Sequence, residues 1–126
     1  MAESVSSFVK KLQKSMGKER PREEKSVYFG EYDENILLTS VTEEELKAAQ
    51  EYSKDPEEQN KYLAYMGSPT LREAAGELVK LEAITEPLEI MNSFKTLDVA
   101  KMAETVVELF NDYMKPSITE IKDLKK

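Results

Sequence analysis

Between Thr42 and Pro87 the chain is restarted four times, and this punctuation limits what it can fold into more than any other feature. The first restart is Thr42-Glu43-Glu44-Glu45. The Thr42 hydroxyl can accept from the amide of Glu45 while the Glu45 carboxylate reaches back to the amide of Thr42, and Val41 and Leu46 occupy the hydrophobic-staple positions. Such caps contribute about 1 kcal/mol. The second is Asp55-Pro56-Glu57-Glu58, with Asp55 as cap, Pro56 at the first helical position and acids at the positive end of the dipole. The third is Ser68-Pro69, with Thr70 and Glu73 as an alternative capping box. The fourth is Thr85-Glu86-Pro87. Helices between such stops are short, and short connections favour antiparallel neighbours.

The apolar residues fit this reading. One helix carries Ala48, Ala49 and Tyr52; the next carries Tyr62, Leu63, Tyr65 and Met66 and stops at Gly67. The third has Leu71, Ala74, Ala75, Leu78, Val79 and Leu81 on one face, and its interior Gly76 costs about 1 kcal/mol against alanine, which predicts a close helix contact there. After Pro87 a short helix brings Leu88, Ile90, Met91 and Phe94. The strongest 3–4 spacing runs through Val99, Met102, Ala103, Val106, Val107, Phe110, Tyr113 and Met114, capped by Thr96 or Asp98 and ended by Pro116. Residues 117–126 read as a last short helix or a frayed tail.

The first forty residues differ. Ser4 is placed to cap a short helix with Val5, Phe8, Val9, Leu12 and Met16 on one side and Lys10, Lys11 and Lys14 on the other, ending near Gly17. Residues 18–25, KERPREEK, form a charged linker. Residues 26–41 then change to strand formers: Val27, Tyr28, Phe29, Tyr32, Ile36, Thr39 and Val41 around a polar Asp33-Glu34-Asn35 turn, which predicts a β-hairpin. A lone hairpin needs helices packed on one face. The predicted fold class is therefore mainly α: a small helical domain with an N-terminal β-hairpin and a detachable N-terminal amphipathic helix. Residues 1–25 hold the helix and charged linker, and residues 26–126 the hairpin plus helical domain.

Composition narrows the chemistry. The 126 residues contain no Cys, His or Trp. Thiolates and imidazoles are thus unavailable as nucleophiles, bases or metal ligands, which leaves carboxylates, Lys, Tyr and Ser. No apolar run spans a bilayer and no signal-peptide pattern opens the chain, so a cytoplasmic protein without a membrane partner is expected. The net charge of −7 divides into +3 over residues 1–26 and −10 over the remainder. An acidic body does not suit a nucleic-acid backbone. Aromatic residues without a basic groove do not make a base-stacking platform, and residues 31–60 hold ten acids against two lysines. Those aromatics are expected to join the hairpin to the helices.

Glu43–Glu45, Glu57 with Glu58, and Asp33 with Glu34 are the acidic clusters open to metal binding or acid–base work. The dipole and the capping box already account for acids in a first helical turn. The four glycines are isolated, so no phosphate loop forms, and no EF-hand loop or G-x-S-x-G elbow is present. Ser68-Pro69-Thr70 can attract a kinase but serves first as a helix start. No cofactor is expected.

Two segments, EKSVYFGEYDENILLTSVTEEEL (24–46) and SPTLREAAGELVKLEAITEPLEIMNSFKTLDVAKMAETVVELFN (68–111), resemble the tail assembly chaperones of tailed phages. The similarity is to the type found in contractile-tailed phages and phage-like particles of Gram-positive bacteria. It covers about half the chain and rests on the order of helix starts and apolar positions. The resemblance implies a non-catalytic assembly factor that coats the tape-measure protein and helps bring tail-tube subunits to it. It further implies absence from the finished virion; a compact acidic domain with a mobile helical arm is also expected to self-associate, in the bacterial host cytoplasm. The short acidic hairpin turn departs from the pattern.

Partner-binding residues are expected at Phe8, Val9, Leu12 and Met16 on the arm, and at Tyr28 and Phe29 on the hairpin. The arm is open to two readings: it folds back on the domain, or it detaches to fit a groove on a partner or a neighbouring copy. The competing functional reading is a small acidic helical adaptor or regulatory protein-binding domain. A carboxylate-dependent enzyme is a third, for which no nucleophile–base arrangement can be named.

Overall fold

The structure is a computed structural model that describes residues 2–121. The elements run α1 (Ala2–Ser15), β1 (Glu24–Phe29), β2 (Glu34–Thr39), α2 (Glu43–Tyr52), α3 (Pro56–Met66), α4 (Pro69–Lys80), a 3₁₀ helix (Pro87–Ser93) and α5 (Thr96–Tyr113). The chain is mainly helical, with a two-stranded antiparallel hairpin ahead of the helices. Half of the predicted tail, residues 122–126, lies outside the described residues.

Three of the four restarts begin as their residues dictate. Thr42 and Glu45 make both bonds of the capping box, at 3.1 and 2.9 Å. Asp55 accepts from the amide of Glu57 ahead of Pro56. Ser68, rather than Thr70, caps α4 by accepting from the amide of Leu71 at 3.2 Å. The fourth, after Glu86, forms a 3₁₀ helix with no side-chain cap, although the carboxylate of Glu89 accepts from the amide of Thr85.

Several expectations need correction. The first helix begins at Ala2, so Ser4 lies inside it. The cap residue of α5 is Lys95, and neither Thr96 nor Asp98 makes a capping bond. The hairpin starts two residues early, and its loop is Gly30–Asp33 rather than Asp33–Asn35. Asp33 closes that loop at φ +50°, a left-handed conformation that Asp tolerates better than most residues. Gly76 meets nothing: a Cβ there would have open space around it. Leu81 lies beyond the helix and is exposed.

The core gathers Phe29, Ile36 and Leu38 from the hairpin with Leu63, Leu71, Met91 and the buried face of α5. Side-chain alternation along β1 turns Val27 and Phe29 inward and Tyr28 outward. Phe29 and Tyr32 both pack on Phe94, with ring centroids 5.1 and 5.8 Å apart, and Tyr32 donates to the carbonyl of Ser93. Tyr52 stacks on Tyr62 and joins α2 to α3. Phe29 and Tyr32 thus join the hairpin to the helical part, whereas Tyr52 and Tyr62 join two helices and Tyr28 bonds only within the hairpin.

The junction between α3 and α4 lies along one edge of the hairpin. Leu37 donates its amide to the Thr70 hydroxyl at 3.0 Å and accepts from the Ser68 hydroxyl at 2.9 Å. The amide of Thr39 donates to the carbonyl of Gly67 at 2.7 Å. These bonds point away from β1, so the outer edge of β2 is occupied at Leu37 and Thr39.

Candidate protein-docking surfaces

Three surfaces come from different parts of the sequence. The first is α1. The apolar stripe it forms with the following Met16 is exposed, from 45% at Leu12 to 72% at Met16, with Val5, Phe8 and Val9 between. Among the described residues, no hydrogen bond or ion pair joins residues 5–17 to the hairpin or to the later helices. Leaving five large apolar side chains in water forgoes about 1.5–3 kcal/mol for each one that a partner would bury fully.

The root of this arm is fixed, unlike the free linker the sequence suggests. Arg22 bonds Glu19 at 2.9 Å and Glu45 at 3.0 Å, and approaches the carbonyl of Ser40. These acids hold the guanidinium pKa above its already high ordinary value, the Glu19 hydrogen bond most, against a smaller lowering by burial. Glu23 exchanges bonds with Ser40: its amide donates to the Ser40 hydroxyl, and its carbonyl accepts from the Ser40 amide. The body therefore begins at Arg22, and the free linker shortens to residues 17–21.

The second surface is the hairpin. Tyr28 is exposed, and its hydroxyl donates to Asp33 at 2.7 Å, which raises the phenol pKa above its usual 10.0. Phe29 differs from the expectation that paired it with Tyr28. It is 8% exposed, because the strand alternation turns it into the aromatic cluster with Tyr32 and Phe94. Five of the six predicted contact residues thus lie on the surface, three on α1, Met16 just after it and one on the hairpin.

The third surface is absent from the sequence reading. A groove of about 510 Å³ runs between β1 and α5. Val27, Phe29, Ile36, Leu38 and Met102 contribute its apolar walls. Three lysines (25, 95 and 101) and three acids (Glu31, Asp98 and Glu108) stand around them. The sequence signal was the polar spacing Asp98, Lys101, Thr105, Glu108 along α5. It identifies a groove only once β1 is known to lie beside that face.

The acidic clusters are dispersed. Glu45 is committed to its cap and to Arg22, Glu58 pairs with Lys61 at 3.2 Å, and Asp33 holds Tyr28. Among the described residues, no three acidic side chains converge where they could hold a metal ion, and no helix is long and apolar enough to cross a membrane. Comparison with known proteins finds no matching family model, no matching curated protein and no matching solved structure.

Proposed function

We propose that this protein is a non-catalytic assembly factor of the phage tail assembly chaperone type. It binds the tape-measure protein, helps recruit tail-tube subunits, self-associates, and acts in the bacterial host cytoplasm without entering the virion. The observation that carries the reading is the arm: an amphipathic helix with its apolar stripe in water, tethered by a short charged segment to an acidic body. Apolar side chains on a tethered helix suit coverage of another helix, and many weak copies along a filament gain avidity. The resemblance of residues 24–46 and 68–111 supplies the biological setting. The non-catalytic part of the proposal rests on how the carboxylates are spent, in caps and ion pairs.

Light scattering of the protein with and without a tape-measure segment tests it. The expected result is a complex larger than either component, lost when Phe8 and Leu12 are both replaced by Ser. Absence of any complex with the parent protein refutes the phage reading. A second reading, a small acidic adaptor or regulatory domain, draws on the −10 balance of residues 27–126. It predicts a basic partner whose binding survives loss of the arm.

A further inference from the structure

The hairpin has one edge occupied by the α3–α4 junction and one open edge. On β2 the outward-facing residues are Asn35, Leu37 and Thr39; both backbone groups of Leu37 and the amide of Thr39 are already bonded, to Thr70, Ser68 and Gly67. The register pairs Val27 with Ile36 and Lys25 with Leu38, while the next rung outside the strands joins Glu23 to Ser40. In an antiparallel ladder the residues between such bonded pairs turn their amides and carbonyls outward. On β1 these are Glu24, Ser26 and Tyr28. Among the described residues, none of their backbone groups has a hydrogen-bond partner. The run Ser26–Phe29 carries no charge, proline or bulge, the usual devices that blunt an edge. Glu24 and Lys25 guard only the first two of the six residues of β1.

Beyond this open edge lies the groove against α5. A strand laid beside β1 would place every second side chain over that groove and the others beside Glu24, Ser26 and Tyr28. The groove walls are charge-balanced. The surrounding sign is set by Glu23, Glu24 and Glu34 and by the −10 of the body. We infer that the open edge of β1 is a docking site for an extended, basic segment of a partner protein. The segment pairs antiparallel to β1 and sends alternate apolar side chains into the β1–α5 groove. The inference rests on the protein-binding reading above, though not on the identity of the partner. Antiparallel pairing is the more stable geometry per residue and the commoner one.

The experiment uses the full chain and a synthetic peptide of alternating lysine and valine. In the antiparallel register the valines enter the groove, so the lysine amides face Ser26 and Tyr28 while the valine amides face solvent. Binding should slow amide exchange at Ser26 and Tyr28 by about tenfold or more, as new ladder bonds protect them. N-methylating the lysine amides should weaken binding about tenfold or more, and N-methylating the valine amides should not. Ser26→Pro should weaken binding to a similar degree. It removes an outward N–H and leaves the β1–β2 bonds in place, since an edge-strand position whose N–H faces solvent is one that tolerates proline. The methylated peptides test the pairing even if that variant folds poorly. Equal affinity of both methylated peptides, or unchanged exchange at Ser26 and Tyr28, overturns the inference. If the alternating peptide fails while a tape-measure segment still binds, this inference alone falls. If the tape-measure segment fails while the peptide binds, the phage reading alone falls.

Discussion

Gly67 sits where the end of α3 presses on α5, and replacing it with alanine tests the packing directly. A Cβ at this position would lie 2.5 and 2.8 Å from the two methyl carbons of Val106 and 3.2 Å from the carbonyl of Leu63. Ordinary contact begins near 3.4 Å, so the methyl arrives about 1 Å too close to Val106. Val106 is fully buried and has no free direction in which to retreat. Overpacking of this kind costs about 1–3 kcal/mol. A domain of this size should therefore lose roughly 3–5 °C in Tm for each kcal/mol. Val106→Ala alone should cost about 2 kcal/mol through the space it opens. In that background Gly67→Ala should cost less than about 1 kcal/mol, because only the contact with the Leu63 carbonyl remains. Urea unfolding of the four proteins, with unchanged m-values, gives the double-mutant cycle. A cost below about 0.5 kcal/mol for Gly67→Ala alone, or additivity of the two changes within about 0.5 kcal/mol, would refute the reasoning.

Gly76→Ala should have the opposite sign, stabilising by about 0.5–1 kcal/mol in the same assay, since the site is helical, exposed and open. Ser68→Ala should cost about 2–3 kcal/mol, against about 1 for Thr42→Ala, because the buried Ser68 hydroxyl serves both a helix cap and the edge of β2. The Phe8→Ser, Leu12→Ser pair should leave the melting temperature almost unchanged while reducing self-association by light scattering; a large drop would place the arm in the core. The Tyr28 ring should titrate above pH 10 by NMR, and Asp33→Asn should lower its midpoint. The sign follows from the raised pKa: the bond to Asp33 is intact below pH 10 and is lost as the phenol ionises above it.

The helix starts were legible because each depends on a few adjacent residues. Thr42 with Glu45, Asp55 with Pro56, and Ser68 with Pro69 carry their own hydrogen-bonding logic. The hairpin loop was misplaced because Asp33 and Glu34 look equally turn-like in sequence, and only the left-handed backbone at Asp33 separates them. Gly67 and Gly76 were indistinguishable as letters. Which one meets a neighbour depends on Val106, thirty-nine residues from Gly67 along the chain. The arm's apolar stripe could be read from spacing, but its exposure could not, since the same stripe suits a helix packed on the core. The open edge and its groove depend on how α4 and α5 flank the hairpin, which no local pattern records.

The Ser68 hydroxyl has a role in cooperativity. One oxygen terminates a helix and fastens a strand thirty-one residues earlier in the chain. Fraying the start of α4 therefore releases the middle of β2, and slipping β2 uncaps α4. Native-state exchange should find the amides of Leu37 and Leu71 opening in a single sub-global event, with the same denaturant dependence, so that the two behave as one foldon.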